Sequence, residues 1–262
     1  MTLPLPPNGA PPPGCLYLVP APLDFGCAET APLQATLPLG TLHIAASLSH
    51  WVCENAKTTR AYLKRIDAIT PLCLPLQQMA LTELPHEVHK KGDHQGHFDA
   101  RALLQPALAG HDIGLISEAG MPAVADPGSS VVRAAHDLGL TVRPLVGPVS
   151  LLLALAASGL NGQNFAFVGY LPQDPSQRQE HIRALEAVAQ RQGQTQMFIE
   201  TPYRNQSLLQ ALLHCLQPGT RLAVSRGLTL LQAQSLSDSV KNWRQRGLSI
   251  DNSLPAVFAI GR

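Results

Sequence analysis

The chain has 262 residues, of which 45% are hydrophobic and 14% charged, and its net charge at neutral pH is +1. This composition suits one large or two ordinary domains with real cores and excludes an intrinsically disordered chain. No whole-molecule field draws such a chain to nucleic acid or membrane, although a local basic patch is not excluded.

Residues 1–14 are rich in proline and contain Asn8-Gly9, so a mobile, disordered tail is expected there. No basic stretch followed by an apolar one opens the chain, so no signal peptide is expected. Leu16-Tyr17-Leu18-Val19, stopped by Pro20 and Pro22, reads as a buried strand. Leu42 to Ala46 reads as a second strand, Glu54 to Ile66 as an amphipathic helix, and Leu72 to Leu76 as a third strand. A helix over Arg101 to Ala109 and a strand over Asp112 to Ser117 follow. Asp126-Pro127-Gly128 then opens a helix, with Asp126 as its cap, Pro127 in its first turn and Gly139 at its end.

Thr141 to Val146 is the next strand, and Gly147-Pro148 turns the chain into a helix over Ser150 to Ser158. The apolar stretch Leu145 to Leu160 is interrupted by Gly147, Pro148, Ser150, Ser158 and Gly159, which argues against a membrane span. Asn161-Gly162-Gln163-Asn164 is a polar break that sets the expected domains at 15–160 and 161–262. Beyond it come a strand over Phe165 to Leu171, a helix over Gln177 to Arg191 and a strand over Met197 to Glu200. A helix over Asn205 to Leu216, a strand over Arg221 to Ser225, a helix or turn around Leu236 to Arg244 and a strand over Ala256 to Ile260 complete the series. Strands alternating with helices predict an α/β fold, two α/β domains with mainly parallel sheets.

The five cysteines are odd in number and form no C-x-x-C pair, which disfavours a disulfide framework or zinc ribbon and suits a reducing, cytoplasmic setting. P-loop, G-x-G-x-x-G and G-x-S-x-G motifs are all absent. What recurs is a strand ending in a loop with glycine or proline: Val19 to Pro22, Ser117 to Gly128, Leu145 to Pro148 and Glu200 to Pro202. In open α/β sheets ligands bind outside the carboxyl ends of strands, and such loops let the main chain approach them. Each loop taken alone reads first as an ordinary strand-to-helix turn.

In order, Leu16 to Pro22, Ser117 to Gly128, Pro144 to Ser150, Phe167 to Pro172 and Phe198 to Arg204 resemble the tetrapyrrole methylase superfamily. More narrowly they resemble a short subgroup of its branch of small-subunit rRNA ribose 2′-O-methyltransferases. The resemblance implies S-adenosylmethionine (S-adenosyl-L-methionine) in a cleft between two domains, and a homodimer. Carried over by position, it places Pro20, Glu118, Met121, Val149, Ser150, Glu200, Thr201, Ala223 and Pro255 around the cofactor. It implies rRNA or the small ribosomal subunit as partner. A tetrapyrrole or other small-molecule acceptor, and a cofactor-binding protein without catalysis, are the alternatives.

The chain departs from the branch at several positions. Glu118 stands where the branch has Asp and Met121 where it has Thr. Ala21-Pro22-Leu23-Asp24-Phe25 replaces T-P-I-G-N, and Cys53 to Arg60 replaces A-E-D-T-R.

A ribose hydroxyl attacking a sulfonium methyl must lose its proton, and Glu54 and Glu118 are the candidate bases. Glu54 is named as the catalytic candidate; its other reading is a carboxylate at a helix amino end. Glu118 is preferred as a cofactor acceptor. Lys57, Arg60 and Lys64 at helical spacing are either phosphate contacts or a solvated face. Arg204 either binds an anion of the substrate or pairs with an acid. His86, His89, His94 and His97, near Glu87, Asp93 and Asp99, have spacing that suits a metal, yet the polar segment reads better as a substrate-facing loop, so no metal is expected.

Overall fold

The computed structural model describes residues 11–91 and 98–262. Residues 1–10 of the proline-rich segment, and Asp93, His94 and His97 of the histidine-bearing one, lie outside the described residues. The chain divides into two compact units, one holding residues up to Phe25 and Ala31–Pro148, the other Gly26–Thr30 and Val149–Arg262. The division therefore falls before the helix at Ser150 and not at the polar break expected at 160/161. That helix packs on strands of the second unit and shares a core cluster with Met197, Ala223, Val257 and Ala259.

The first unit is built on β1 (Cys15–Leu18), β2 (His50–Cys53), β3 (Ala80–Glu83), β4 (Ile113–Ile116) and β5 (Thr141–Pro144). They form one sheet in the order β3-β2-β4-β1-β5, and every pair in it is parallel. Its helices are α1 (Leu39–Ser47), α2 (Ala56–Asp67), α3 (His86–Lys91), α4 (Gln105–Leu108) and α5 (Ser129–Asp137). The central β4 is buried throughout, and Gly114 in it leaves room for Trp51: a Cβ there would stand 2.6 Å from the indole ring.

Four expectations for this unit are corrected. Leu42 to Ala46 lies within α1, not in a strand; Leu42, Ala45 and Ala46 are buried at helical spacing, and a short run this apolar has no period to separate the two forms. Leu72 to Leu76 forms no strand, since Pro71 precedes it and Pro75 lies within it; the strands are β2 and the exposed β3. Arg101 to Ala109 is not one helix but a 3-10 turn, Arg101–Leu104, followed by α4, whose first turn holds Pro106. Asp126 is not the N-cap residue of α5: Gly128, at φ 132°, stands there. The carboxyl of Asp126 is turned instead toward Ser117.

The second unit contains α6 (Ser150–Ser158), β6 (Phe165–Tyr170), α7 (Pro175–Gln192), β7 (Thr195–Glu200), α8 (Asn205–Cys215), β8 (Arg221–Arg226), β9 (Gln234–Ser239), α9 (Val240–Arg246) and β10 (Ala256–Gly261). The sheet order is β6-β7-β10-β8-β9. Only β6/β7 is parallel; β7/β10, β10/β8 and β8/β9 are antiparallel. The expectation of mainly parallel sheets thus holds for the first sheet and fails for the second. The connection from Arg226 to Gln234 is too short for the crossover a parallel pair needs. The helix or turn expected around Leu236 to Arg244 resolves into β9 and α9, with the Ser239 hydroxyl accepting from the Asn242 N–H at the helix start. Phe198 and Phe258 stack at 6.0 Å in this core, and Trp243 donates to the Leu222 carbonyl at 2.9 Å.

Candidate active site

In the first sheet β1 and β4 are neighbours, but the chain leaves them in opposite directions: from β1 toward β2, and from β4 past β1 to β5. Such a reversal opens a crevice at the carboxyl ends of the two strands. The loops at that edge are joined, with Ala21 N–H donating to the Gly120 carbonyl at 2.8 Å and Gly120 N–H returning to Ala21 at 3.0 Å. Gly120 sits at φ +71°, a conformation that favours glycine, and so can make this turn. Pro20 is buried beside Gly147, where a Cβ would stand 2.3 Å from its ring, and its carbonyl accepts from the Tyr62 hydroxyl. Its side chain therefore shapes the loop by packing.

Two glutamates occupy this edge. Glu54 directly follows β2, and its Oε2 accepts from the Glu118 N–H at 3.2 Å. Glu118 lies just beyond β4, with the Thr58 hydroxyl donating to its Oε1 at a long 3.5 Å. The amino end of α2 is satisfied by other groups. The Asn55 side chain accepts from Lys57 N–H and Thr58 N–H, and Glu83 Oε1 accepts from Ala56 N–H at 2.6 Å. The reading of Glu54 as the carboxylate of this helix end therefore gives way to one in which it braces the loop after β4.

Asp126 joins these two, and sequence reasoning missed it. Burial, then Glu54, push its carboxyl up to about 7; a hydrogen bond from Ser117 opposes the shift and Glu118 adds to it. The loop that carries it holds Ala123 at φ 65° and Ala125 at φ 66°. For residues with a Cβ that conformation costs roughly 1–2 kcal/mol each. The sequence signal was present but pointed elsewhere, because Asp-Pro-Gly before an apolar periodic run spells a helix start.

The other expected residues divide between the units. Met121 is half-buried in the loop after β4. Lys57, Arg60 and Lys64 are exposed along α2, opposite its buried Thr59, Tyr62, Leu63 and Ile66. In the second unit Val149 is the N-cap residue of α6, and Ser150 is its first residue. Ala223 is buried within β8, and the Pro255 carbonyl accepts from Gly227 N–H at 3.0 Å. Glu200 ends β7 with a buried carboxylate whose Oε1 accepts from Thr201 N–H at 2.8 Å and pairs with Arg204 at 3.0 Å. Of the two readings of Arg204, pairing with an acid is the one observed. Among the described residues no group of three or more His, Cys, Asp or Glu could hold a metal ion, and no helix is long and apolar enough to cross a membrane.

A parallel α/β sheet with a loop-lined, acid-bearing carboxyl edge defines the general class of α/β proteins that bind a ligand at a topological switch point. Residues 50–242 match the tetrapyrrole (corrin/porphyrin) methylases, and the chain belongs to this family of S-adenosylmethionine-dependent methyltransferases. A "Ribosomal RNA small subunit methyltransferase I" of Vibrio cholerae is 30% identical over 223 residues, 85% of this chain and 67% of that one. Proteins of the same name from Mesorhizobium japonicum and Bacillus subtilis are each 33% identical, covering 82% and 85% of this chain. The matched stretches cover 63% and 66% of those two relatives, so the chain spans about two thirds of the length of its curated relatives. Two solved structures share the fold. The methyltransferase CobJ has a TM-score of 0.54 at 18% identity, covering 95% of this chain and 94% of its own. The uroporphyrin-III C-methyltransferase of Thermus thermophilus complexed with S-adenyl homocysteine has 0.52 at 17%, covering 95% and 98%.

Proposed function

We propose that this protein transfers a methyl group from S-adenosylmethionine to a ribose 2′-hydroxyl of small-subunit ribosomal RNA. The single observation that carries the reading is the acid-lined edge of the first sheet, where Glu54 Oε2 accepts from the Glu118 N–H and Asp126 is in electrostatic reach of both. The donor set fits the group. S-adenosylmethionine, when bound, supplies an electrophilic methyl on a sulfonium cation and adds an ammonium and two ribose hydroxyls, all of which suit carboxylate acceptors. The names borne by the relatives, ribosomal RNA small subunit methyltransferases, support the RNA acceptor.

In this reading Glu118 and Met121 of the first unit, and Val149, Ser150, Thr201, Ala223 and Pro255 of the second, are carried forward as cofactor residues. Glu200 supports that role indirectly, because its carboxylate is occupied by Arg204 and Thr201. Glu54 takes the proton from the acceptor hydroxyl. Its Oε2 is tied to the Glu118 N–H, so the carboxylate is held still while it does so. Asp126 keeps a proton near neutrality, which spares the edge a third negative charge. Lys57, Arg60 and Lys64 supply a local basic strip for RNA phosphates.

The same reading sets the protein in the cytoplasm, with its five free cysteines, as a homodimer. Leu152 and Leu153 support the homodimer, being 51% and 40% exposed on an α6 that is apolar all round. Calorimetry with S-adenosylmethionine, together with labelled-methyl transfer to small ribosomal subunits from cells lacking the gene, tests the proposal. Binding and transfer to RNA are expected. Binding without transfer would leave a cofactor-binding protein, and no binding would end the reading.

A further inference from the structure

Tyr203 is 69% exposed, and so is not placed by burial of its own ring. Yet its surroundings are ordered around a buried charge. The Glu200 carboxylate, with 3% of its side chain exposed, holds the Arg204 guanidinium at 3.0 Å, and Arg204 Nε donates to the Thr201 hydroxyl at 3.1 Å. The guanidinium so fixed lies over the Tyr203 ring, 5.4 Å from its centroid. One face of the ring therefore rests on an immobilised cation. Lone exposed aromatics are common on protein surfaces; one backed by an anchored arginine is pre-organised to stack, because little freedom is left to lose on binding.

Its neighbours share this character. Strands β6, β7 and β8 all run the same way, since β6 is parallel to β7 and β10 is antiparallel to both β7 and β8. Their carboxyl ends thus share one edge of the second sheet. Tyr170, 57% exposed, ends β6 and pairs in register with Ile199. Ala256 pairs with both Glu200 and Arg226, which places the two side chains on strands roughly 10 Å apart. Arg226 donates through Nε and Nη2 to the neutral Gln234 Oε1, with Asp251 in electrostatic reach. Two exposed tyrosines at the ends of adjacent strands, with Arg226 further along the same edge, suit single-stranded nucleic acid, which sets bases on ring faces and phosphates on guanidinium groups.

We infer that Tyr203, held by the Glu200–Arg204 pair, is a recognition residue that stacks an unpaired nucleobase of the RNA acceptor. This inference rests on the RNA reading above. The test is steady-state methyl transfer to unmodified small ribosomal subunits by full-length Tyr203→Phe, Tyr203→Leu and Tyr203→Ala. Calorimetry with S-adenosylmethionine and solution mass by light scattering serve as controls. Phe should leave KM for the subunit unchanged. Leu and Ala should raise it roughly tenfold, within the range for loss of one stacked base, with kcat, cofactor affinity and solution mass unaltered.

A Leu variant that behaves like Phe would overturn the inference, since apolar area alone would then suffice. Unchanged KM in Ala, or an Ala variant of altered solution mass, would overturn it too, the latter by making Tyr203 a subunit contact. Wild-type transfer with unaltered variants overturns this inference alone; no wild-type transfer overturns the RNA reading with it.

Discussion

The edges of the two sheets both hold carboxylates, and they treat them in opposite ways. At the second edge the buried Glu200 is matched by Arg204 at 3.0 Å and by two groups of Thr201. At the first, Asp126 is largely buried within electrostatic reach of Glu54 and Glu118, and burial, then Glu54, push its carboxyl up to about 7. A carboxyl withdrawn from water beside other carboxylates keeps a proton into the neutral range. One locked to an arginine serves as an anchor. In the proposed mechanism the first edge carries the proton chemistry and the Glu200–Arg204 pair holds its own loop in place, and substitutions at the two edges test that contrast.

The largest effect is expected at Glu54. Glu54→Gln keeps an oxygen for the Glu118 N–H but removes the base, so the rate of methyl transfer should fall by about 10²- to 10⁴-fold. Cofactor affinity by calorimetry should stay the same.

Asp126→Asn comes next. The folded carboxyl titrates near 7 and an unfolded one near 4, so the folded protein holds a proton through a window in which the unfolded chain has lost it. Stability contributed by that proton is therefore lost as pH rises from about 4 to about 7. The asparagine variant should lack this fall and gain on the order of 3 kcal/mol over wild type at pH 8, with little gain at pH 4. Denaturant melts at the two pH values measure it; a uniform loss at both would show that the Ser117 hydrogen bond outweighs the charge.

Glu200→Gln breaks the matched pair and should destabilise by about 1–3 kcal/mol, less than a fully buried pair because Arg204 is 26% exposed. Denaturant melts of the variant beside wild type measure it. The smallest effect on stability, under about 0.5 kcal/mol, is expected when Lys57, Arg60 and Lys64 are all replaced by Ala. The same variant should bind small subunits more weakly and with a shallower dependence on salt.

Legibility in the sequence followed burial only in part, since buried β2 was missed and exposed β5, which runs into the Gly147-Pro148 turn, was read. The apolar runs of β4 and β10, buried along their whole length, and the Gly/Pro-bearing loop after β4 could be read directly. The edge strands β3, Ala-Leu-Thr-Glu, and β9, Gln-Ser-Leu-Ser-Asp-Ser, could not, because neither carries an apolar run. Helix α1 was misread for the reverse reason: with apolar residues all round it, no period distinguished it from a strand. At the site, Glu54 and Glu118 were legible as acids at strand ends. Asp126 was legible only as a cap, since its turn toward Ser117 is set by tertiary packing that Asp-Pro-Gly does not encode.

The most direct measurement is transfer of labelled methyl groups to small ribosomal subunits from cells lacking the gene, with wild type and Glu54→Gln run side by side and the product digested with alkali. The account predicts label in alkali-resistant, ribose-methylated dinucleotides with wild type, and its near-complete loss with Glu54→Gln despite unchanged cofactor binding. Label in the bases and not the ribose, or undiminished transfer by Glu54→Gln, would contradict it.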